Sequence, residues 1–186
     1  MTNFEKLYKG ISRAAWGYLL VYFDFTFNGF NILPDFIGWL FFLSAIAYLK
    51  AEQPELRLLR PFGWCFVIWS SILWIWAVFA LPEMQISPIL LLPVSLAELY
   101  FHFQFLTNLA SVAAAHQSKD APHQKRLLLC RTVQTLVLTG NILLSRFFPR
   151  SVFSGLTVIF LLAHLGAAVF TTITLFQLRK NLQKTE

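Results

Sequence analysis

The segment FGWCFVIWSSILWIWAVFAL, residues 62–81, decides the fold class of this chain because it contains no charged side chain. An α-helix rises about 1.5 Å per residue and the hydrocarbon core of a bilayer is about 30 Å thick, so about 20 apolar residues cross it. The segment therefore predicts a transmembrane helix. Trp69 and Trp76 share one face of this helix; we favour a lipid-facing or interfacial position for them, with stacking on an aromatic or cationic ligand as the alternative.

The composition of the whole chain agrees with this segment. Of the 186 residues, 57% are hydrophobic and 13% are charged, whereas soluble domains contain about 45–50% apolar and about 25% charged residues. These values exclude a disordered chain, a collagen-like chain, a disulfide scaffold and an ordinary cytosolic enzyme. Cys65 and Cys130 form no CxxC motif, so they are predicted to pack as small apolar residues.

Six apolar runs approach the length of a membrane span. They predict an all-α fold, a polytopic transmembrane helix bundle that forms a single integral membrane domain over residues 1–186. The six predicted spanning helices cover about 14–30, 34–49, 62–81, 88–115, 127–148 and 152–178. Pro93 falls inside the fourth run and is expected to kink the helix or to mark a later start.

The basic residues predict the orientation of the bundle, N-in and C-in. With six spans, 13 of the 15 Lys and Arg side chains fall on the side that holds both termini, and only Arg146 and Arg150 fall on the other. Cytoplasmic loops carry the excess of basic residues, so both termini are predicted to be cytoplasmic and the location to be the cell (inner or plasma) membrane. Apolar runs separate the basic clusters, which argues for the lipid bilayer and against nucleic acid as a partner.

The connection between the first two spans, FDFTFNGFNILPDFIGWLFF at residues 23–42, carries the most specific local signals. Asn28 and Gly29 predict a turn, and Pro34 predicts a helix start. The helical runs on both sides are shorter than the bilayer core, so the turn is predicted to lie below the outer interface. Irregular backbone at that depth is typical of ligand sites in transporters. The alternative is a tight hairpin in which Asn28 and Asn31 only satisfy their own turn.

The sequence ILPDFIGW at residues 32–39, which follows an aromatic-rich helix containing Asp24, resembles an uncharacterised family of small polytopic membrane proteins of Gram-positive bacteria. That family carries an LPDFIG-type segment after its first helix. The resemblance covers mainly the first part of the chain. It implies a polytopic membrane protein and implies no established activity.

Four ionisable side chains fall within the predicted spans: Asp24, Glu98, His102 and His164. A charge at the centre of a membrane helix costs about 2.5–3.5 kcal/mol on insertion, so these groups are expected to face one another, to face water or to be neutral. Glu98 and His102 are four residues apart and share a helix face. Together with polar residues of the turn and of the fifth helix, the candidate ligands are Asp24, Asn28, Asn31, Asp35, Glu98, His102, Gln134, Asn141 and His164.

These residues predict a small integral membrane protein that binds or transports a small solute or ion through a polar site between helices. Asp24 would be the cation or proton acceptor. The size and span count are similar to those of the substrate-binding subunits of energy-coupling vitamin transporters, although the alanine motif of their first helix is not matched. Such a subunit would need a membrane or ATPase partner subunit, because the sequence has no nucleotide-binding motif.

The alternative function is that of a non-catalytic membrane scaffold, a regulatory protein or an immunity-type interaction protein. In that case the polar side chains only join the helices through hydrogen bonds. Enzymatic activity is not expected, because the sequence lacks HExxH, GxSxG and P-loop motifs. No cofactor or metal is expected either: Glu98 and His102 could supply two ligands, but no third ligand has a suitable spacing.

Overall fold

Six α-helices and one short hairpin are present in the part of the chain that the structure, a computed structural model, describes: residues 3–23, 26–27, 30–31, 34–79, 88–116, 122–147 and 150–182. The helices are α1 (Asn3–Tyr22), α2 (Asp35–Leu49), α3 (Arg60–Val78), α4 (Pro88–Ala115), α5 (His123–Phe147) and α6 (Arg150–Leu182). A 3-10 helix, Pro54–Leu59, leads directly into α3. The prediction of an all-α fold is confirmed.

Prolines mark several of the helix starts. Pro34 immediately precedes α2, Pro54 and Pro61 lie in the first turns of the 3-10 helix and of α3, and Pro88 is the first residue of α4. The N–H groups of a first helical turn have no partner within the helix, so a proline there removes no hydrogen bond. Pro93 lies inside α4, which is helical on both sides of it, so the helix does not start later.

Five of the six predicted runs agree with the observed helices to within four residues at each end. The first run is wrong in its bounds, because the helix predicted over 14–30 extends over Asn3–Tyr22 instead. Leu7, Ile11 and Tyr18 recur at helical spacing and are buried against other helices. Because one face of this segment is buried, the helix begins near the N-terminus, among basic residues. Their charges lower the mean hydropathy of the segment but do not oppose helix formation.

The chain after α1 forms a small hairpin. Strand β1 (Thr26–Phe27) pairs antiparallel with β2 (Phe30–Asn31), with Thr26 opposite Asn31. The predicted turn residues Asn28 and Gly29 lie outside the described residues. This strand pairing is the one expected of a hairpin, the alternative interpretation of this segment. The first helix ends at Tyr22, before the apolar run of the sequence ends.

An aromatic core holds α1, α2 and α4 together. Tyr18, Phe42, Phe101 and Phe105 are fully buried, and the rings of Tyr18 and Phe42 meet edge to face at 4.9 Å. Aromatic pairs in such an arrangement contribute about 0.5–1.5 kcal/mol each. Helix α1 packs against α2 and α6, and α5 packs against α4 and α6. The core thus brings the end of α1, the start of α2 and the first half of α4 to one place.

Two contacts set the position of α1 between its neighbours. At Gly38 a Cβ atom would lie 2.9 Å from the backbone nitrogen of Val21, so a glycine is needed where α2 crosses α1. On the other side, Arg179 of α6 donates a hydrogen bond from Nη1 to Ser12 Oγ at 3.2 Å, and its guanidinium lies over the Tyr8 ring. The first and last helices are therefore joined directly.

Three helical segments among the described residues are long and apolar enough to span a membrane: Pro54–Val78, His123–Leu144 and Val158–Leu182. This judgement rests on length and composition. In the first two segments only 22% of the most apolar window is buried within the protein. On α3, Trp64, Ile68 and Ile72 are exposed at four-residue intervals, so the helix presents an apolar face outward.

Candidate functional site

His102 is the centre of a hydrogen-bonded group at the junction of α1 and α4. Its side chain is 1% exposed, the Tyr22 hydroxyl lies 2.9 Å from Nε2, and the Tyr18 hydroxyl lies 3.2 Å from Nδ1. The two tyrosines are one turn apart on α1, so one helix face supplies a partner for each ring nitrogen. A neutral imidazole has one donor and one acceptor nitrogen, and both are satisfied here.

Glu98 lies one turn before His102 on the same face of α4. Its Oε1 atom is 3.9 Å from His102 Nε2, a nitrogen that the Tyr22 hydroxyl already contacts. The Glu98 side chain is 30% exposed, in contrast to the buried imidazole. The Glu98 carboxyl group is therefore accessible from one side, while its other side lies next to Tyr22 and His102.

The accessible side of Glu98 faces a cavity of about 310 Å³ between five helices. The polar side chains around it come from α1, α2, α3, α4 and α6, and the apolar ones include three aromatic rings. The lining residues are Val21, Tyr22, Asp35, Trp39, Phe66, Trp69, Ser70, Leu73, Val94, Glu98 and His164. Two carboxyl groups, an imidazole and a phenol thus share one cavity with aromatic walls. We call it the carboxylate cavity.

The aromatic walls of the carboxylate cavity are held by packing. Trp39 stacks on Phe66 with ring centroids 4.3 Å apart, and Trp39 is 5% exposed. The Tyr22 and His164 rings lie 4.6 Å apart, which links α1 to α6. Ser70 Oγ donates a hydrogen bond to the Phe66 carbonyl at 2.6 Å, leaving its oxygen lone pairs as acceptors. Rigid walls lower the entropy cost of binding a small molecule.

Of the candidate ligands, Asp35, Glu98 and His164 line the carboxylate cavity, and His102 lies directly behind Tyr22 and Glu98. Asp24 and Asn28 lie outside the described residues, and Asn31 is described only as a backbone residue of β2. The candidate ligands that the structure brings together come from three helices, α2, α4 and α6, which are far apart in the sequence.

Gln134 and Asn141 are not among the residues that line the carboxylate cavity. Gln134 is buried between α5 and α6, where its Nε2 donates a hydrogen bond to Thr171 Oγ1 at 3.3 Å. Asn141 is exposed. The two residues are seven positions apart on α5, and of the two only Gln134 is buried.

Sequence reasoning missed Tyr18, Tyr22 and Trp39, and it favoured lipid or the interface for Trp69, which lines the carboxylate cavity. A signal existed for the tyrosines, because they are four residues apart and belong to the apolar face of α1. Both tyrosines lie within the helix predicted over 14–30, so this spacing was already visible in the sequence, but their hydrogen bonds to His102 were not. Among the described residues, no group of three or more His, Cys, Asp or Glu side chains is placed to hold a metal ion.

The chain matches no protein-family model, no curated protein and no solved structure. The function of the chain is therefore inferred from the geometry of the carboxylate cavity and from the apolar surfaces of the helices.

Proposed function

We propose that this chain is a multi-pass membrane protein with six spans and both termini in the cytoplasm, which binds a small cationic solute in the carboxylate cavity. The observation that carries the proposal is that Asp35 and Glu98 line one cavity together with Trp39 and Trp69. Two carboxyl groups beside aromatic faces favour a cation over an anion, because the carboxylates attract the one and repel the other.

The apolar surfaces of the long helices support the membrane location. Leu129, Leu136 and Leu143 of α5 are exposed at seven-residue intervals, and Val158, Ile159 and Leu162 of α6 are exposed near its start. Large apolar side chains that are exposed in this number along long helices are typical of contact with lipid. The excess of basic residues beside the two termini supports the cytoplasmic assignment of both.

The position of the carboxylate cavity follows from this topology. Under the N-in arrangement the end of α1 and the start of α2 face outward, as do the end of α3 and the start of α4. The cavity therefore belongs to the outer half of the bundle. Ionisable side chains in that position face a cavity or a partner, because an unpaired charge in hydrocarbon is costly.

The size and chemistry of the cavity favour a small organic cation. A volume of about 310 Å³ is at the lower end of the range for ligand pockets, about 300–1,000 Å³. An ammonium group can be held by a carboxylate and by the face of a tryptophan, an interaction of about 1–2 kcal/mol in a desolvated site. We assign charge pairing to Asp35 and Glu98, stacking to Trp39 and Trp69, and hydrogen bonding to His164 and Tyr22. His102 orients Tyr22.

Three further candidate ligands, Asp24, Asn28 and Asn31, stay predictions from the sequence, as does membership of the Gram-positive family that residues 32–39 resemble. A transport function would add a partner. Because the sequence has no P-loop motif, transport driven by ATP would need an ATPase subunit in the membrane. Co-purification of an ATPase with the tagged chain from its native membrane tests this extension separately from binding.

The binding proposal is tested by thermal unfolding of the purified full chain against organic ammonium ions and their neutral isosteres. We expect the ammonium compounds to raise the Tm and the neutral compounds to leave it unchanged. Glu98→Gln keeps the shape of the side chain and should weaken binding about tenfold, the effect of losing one charge-assisted contact. Glu55→Gln is the matched control, because Glu55 is exposed on the 3-10 helix outside the cavity. Equal shifts by the neutral isosteres would overturn the proposal.

The second candidate function, a membrane scaffold or interaction protein, is favoured by one observation: both nitrogens of His102 are already satisfied by tyrosines. Such a group stabilises helix packing without any ligand. If no cation shifts the Tm, and if Asp35→Asn and Glu98→Gln only lower the stability of the chain, the scaffold function is the better description.

A further inference from the structure

A second pocket lies at the opposite end of the bundle, where α5 begins and α6 ends. It has a volume of about 290 Å³ and is lined by Pro122, His123, Arg126, Gln177, Lys180 and Asn181. We call it the basic pocket, because two of its six lining residues are permanently charged cations and none is acidic. It shares no residue with the carboxylate cavity, so it is independent of the proposed cation binding, although its position relative to the membrane rests on the proposed topology.

His123 is the unusual residue of the basic pocket. Its side chain is 3% exposed, and Asn181 Nδ2 contacts its Nε2 atom. With Asn181 Nδ2 as the donor, Nε2 is the acceptor, and a neutral His123 ring then carries its proton on Nδ1. Nδ1 is buried and has no hydrogen-bond partner among the described residues. A buried N–H donor without an acceptor costs about 1–3 kcal/mol, and none of the described residues supplies an acceptor to Nδ1.

The cations of the basic pocket are positioned to supply charge to such an acceptor. Arg126 Nη1 donates to Gln177 Oε1 at 2.8 Å, which fixes the guanidinium and leaves its other N–H groups as donors. Neither Arg126 nor Lys180 belongs to an ion pair of the described residues. Arg179, the neighbour of Lys180, is instead occupied at the contact of α6 with α1.

The start of α5 adds a third source of positive potential. The first N–H groups of a helix have no acceptor within the helix, and the helix dipole places a partial positive charge there. An anion with several oxygens in this pocket would lie beside these N–H groups, the Arg126 guanidinium and the His123 ring. Phosphate groups bind helix starts in this way.

We propose that the basic pocket binds a phosphate group. The group belongs either to the headgroup of an anionic lipid or to a soluble phosphate. The proposed topology puts this end of the bundle on the cytoplasmic side, where anionic lipids attract basic side chains beside the membrane. Both sources present the same oxygens to His123, Arg126 and Lys180, and the experiment separates them.

The test uses the full chain, purified in a neutral detergent and unfolded by heat at constant ionic strength. The additions are inorganic phosphate, phosphatidylglycerol and, as a phosphate-free lipid, diacylglycerol. We expect phosphatidylglycerol to raise the Tm by about 5 °C at saturation and diacylglycerol to leave it unchanged. A shift with inorganic phosphate as well identifies a site open to soluble phosphates. A shift with the lipid alone identifies a headgroup site. If neither inorganic phosphate nor phosphatidylglycerol shifts the Tm, the proposal is overturned.

Matched double variants separate a specific pocket from general attraction. Arg126→Gln with Lys180→Gln removes two positive charges from the basic pocket. Arg57→Gln with Arg60→Gln removes two exposed charges from residues that do not line it. We expect affinity for the phosphate source to fall about tenfold for each pocket charge removed and to stay within about twofold in the control. Equal losses in the two variants would mean unspecific electrostatics and would overturn the proposal.

A third pair of variants tests the buried donor and does not depend on the stability of the charge variants. His123→Asn retains an N–H donor near the Nδ1 position, whereas His123→Phe retains a ring and removes the donor. We expect the asparagine variant to bind the phosphate source better than the phenylalanine variant, by about tenfold. Equal affinity of the two variants would show that His123 Nδ1 is not a ligand of the phosphate group.

Discussion

At the scale of single residues, the Tyr18–His102–Tyr22 group determines how Glu98 is presented. The imidazole is 1% exposed and contacts a hydroxyl at each nitrogen, so its orientation is fixed by two hydrogen bonds. The fixed imidazole lies beside one side of the Glu98 carboxyl group, and the other side of this group faces the carboxylate cavity. The Tyr18–His102–Tyr22 group therefore contributes to binding by positioning Glu98.

The Tyr22→Phe variant tests this role. It leaves one nitrogen of a buried imidazole without a partner, so we expect the free energy of unfolding to fall by about 1–3 kcal/mol. Tyr100 is exposed and supplies the control, because Tyr100→Phe should change stability by less than about 0.5 kcal/mol. Denaturation of both variants in the same detergent measures the difference. Equal stability of Tyr22→Phe and the wild type would contradict the hydrogen-bonded arrangement.

Gln134 gives the opposite expectation. Its Oε1 atom is buried without a partner among the described residues. Its Nε2 atom donates to Thr171 Oγ1, which in turn donates to the Ala167 carbonyl. Gln134→Met should therefore leave stability unchanged or raise it slightly, since it removes an unsatisfied buried acceptor. It should also leave cation binding unchanged. A loss of cation binding in this variant would restore Gln134 to the ligand set.

At the scale of secondary-structure elements, the crossing of α1 and α2 depends on one glycine. The distance of 2.9 Å between a Cβ atom at Gly38 and the backbone nitrogen of Val21 is shorter than a carbon side chain tolerates. Any larger residue must push the two helices apart. Because Tyr22 and Asp35 flank this crossing, the spacing of the helices also sets the width of the carboxylate cavity.

Gly38→Ala and Gly166→Ala form a matched pair. Overpacking costs about 1–3 kcal/mol, which is the destabilisation expected for Gly38→Ala. A Cβ atom at Gly166 meets no atom within 4 Å, and alanine is favoured over glycine in a helix by about 0.5–1 kcal/mol, so Gly166→Ala should be stabilising. Thermal unfolding of the two variants checks the difference in sign. A stabilising Gly38→Ala would contradict the close helix crossing.

The elements also show how much the sequence determines. The helices from α2 onward were predictable because each apolar run is bounded by proline or charge, and both signals are local. The first helix was not, because Leu7 and Ile11 alternate with charged residues and lower the mean hydropathy of a segment that is nevertheless buried on one face. In the candidate site, Glu98 and His102 were predictable from their spacing. The tyrosines that contact His102 come from 80 and 84 residues away, and no local pattern reports such a contact.

At the scale of the whole molecule, three segments of the described residues meet the length and composition of a membrane span. The proposed six-span topology makes a definite prediction. Reporter fusions to the first and last residues should both report from the cytoplasm. The basic residues beside the termini provide the physical reason, because their transfer across the membrane is opposed. A fusion near residue 84, between α3 and α4, should report from the opposite side. Reporters at the two termini that lie on opposite sides would contradict the even number of spans.

The seam between the first and last helices has a consequence for biosynthesis. Arg179 reaches Ser12 and Tyr8 across almost the entire length of the chain, so this contact forms only after translation of α6. Until then the face of α1 that meets α6 has no neighbour from its own polypeptide, and a ribosome-bound intermediate must shelter it in the insertion machinery or in lipid. Truncation before α6 should accordingly yield a chain that is degraded rather than a smaller folded bundle.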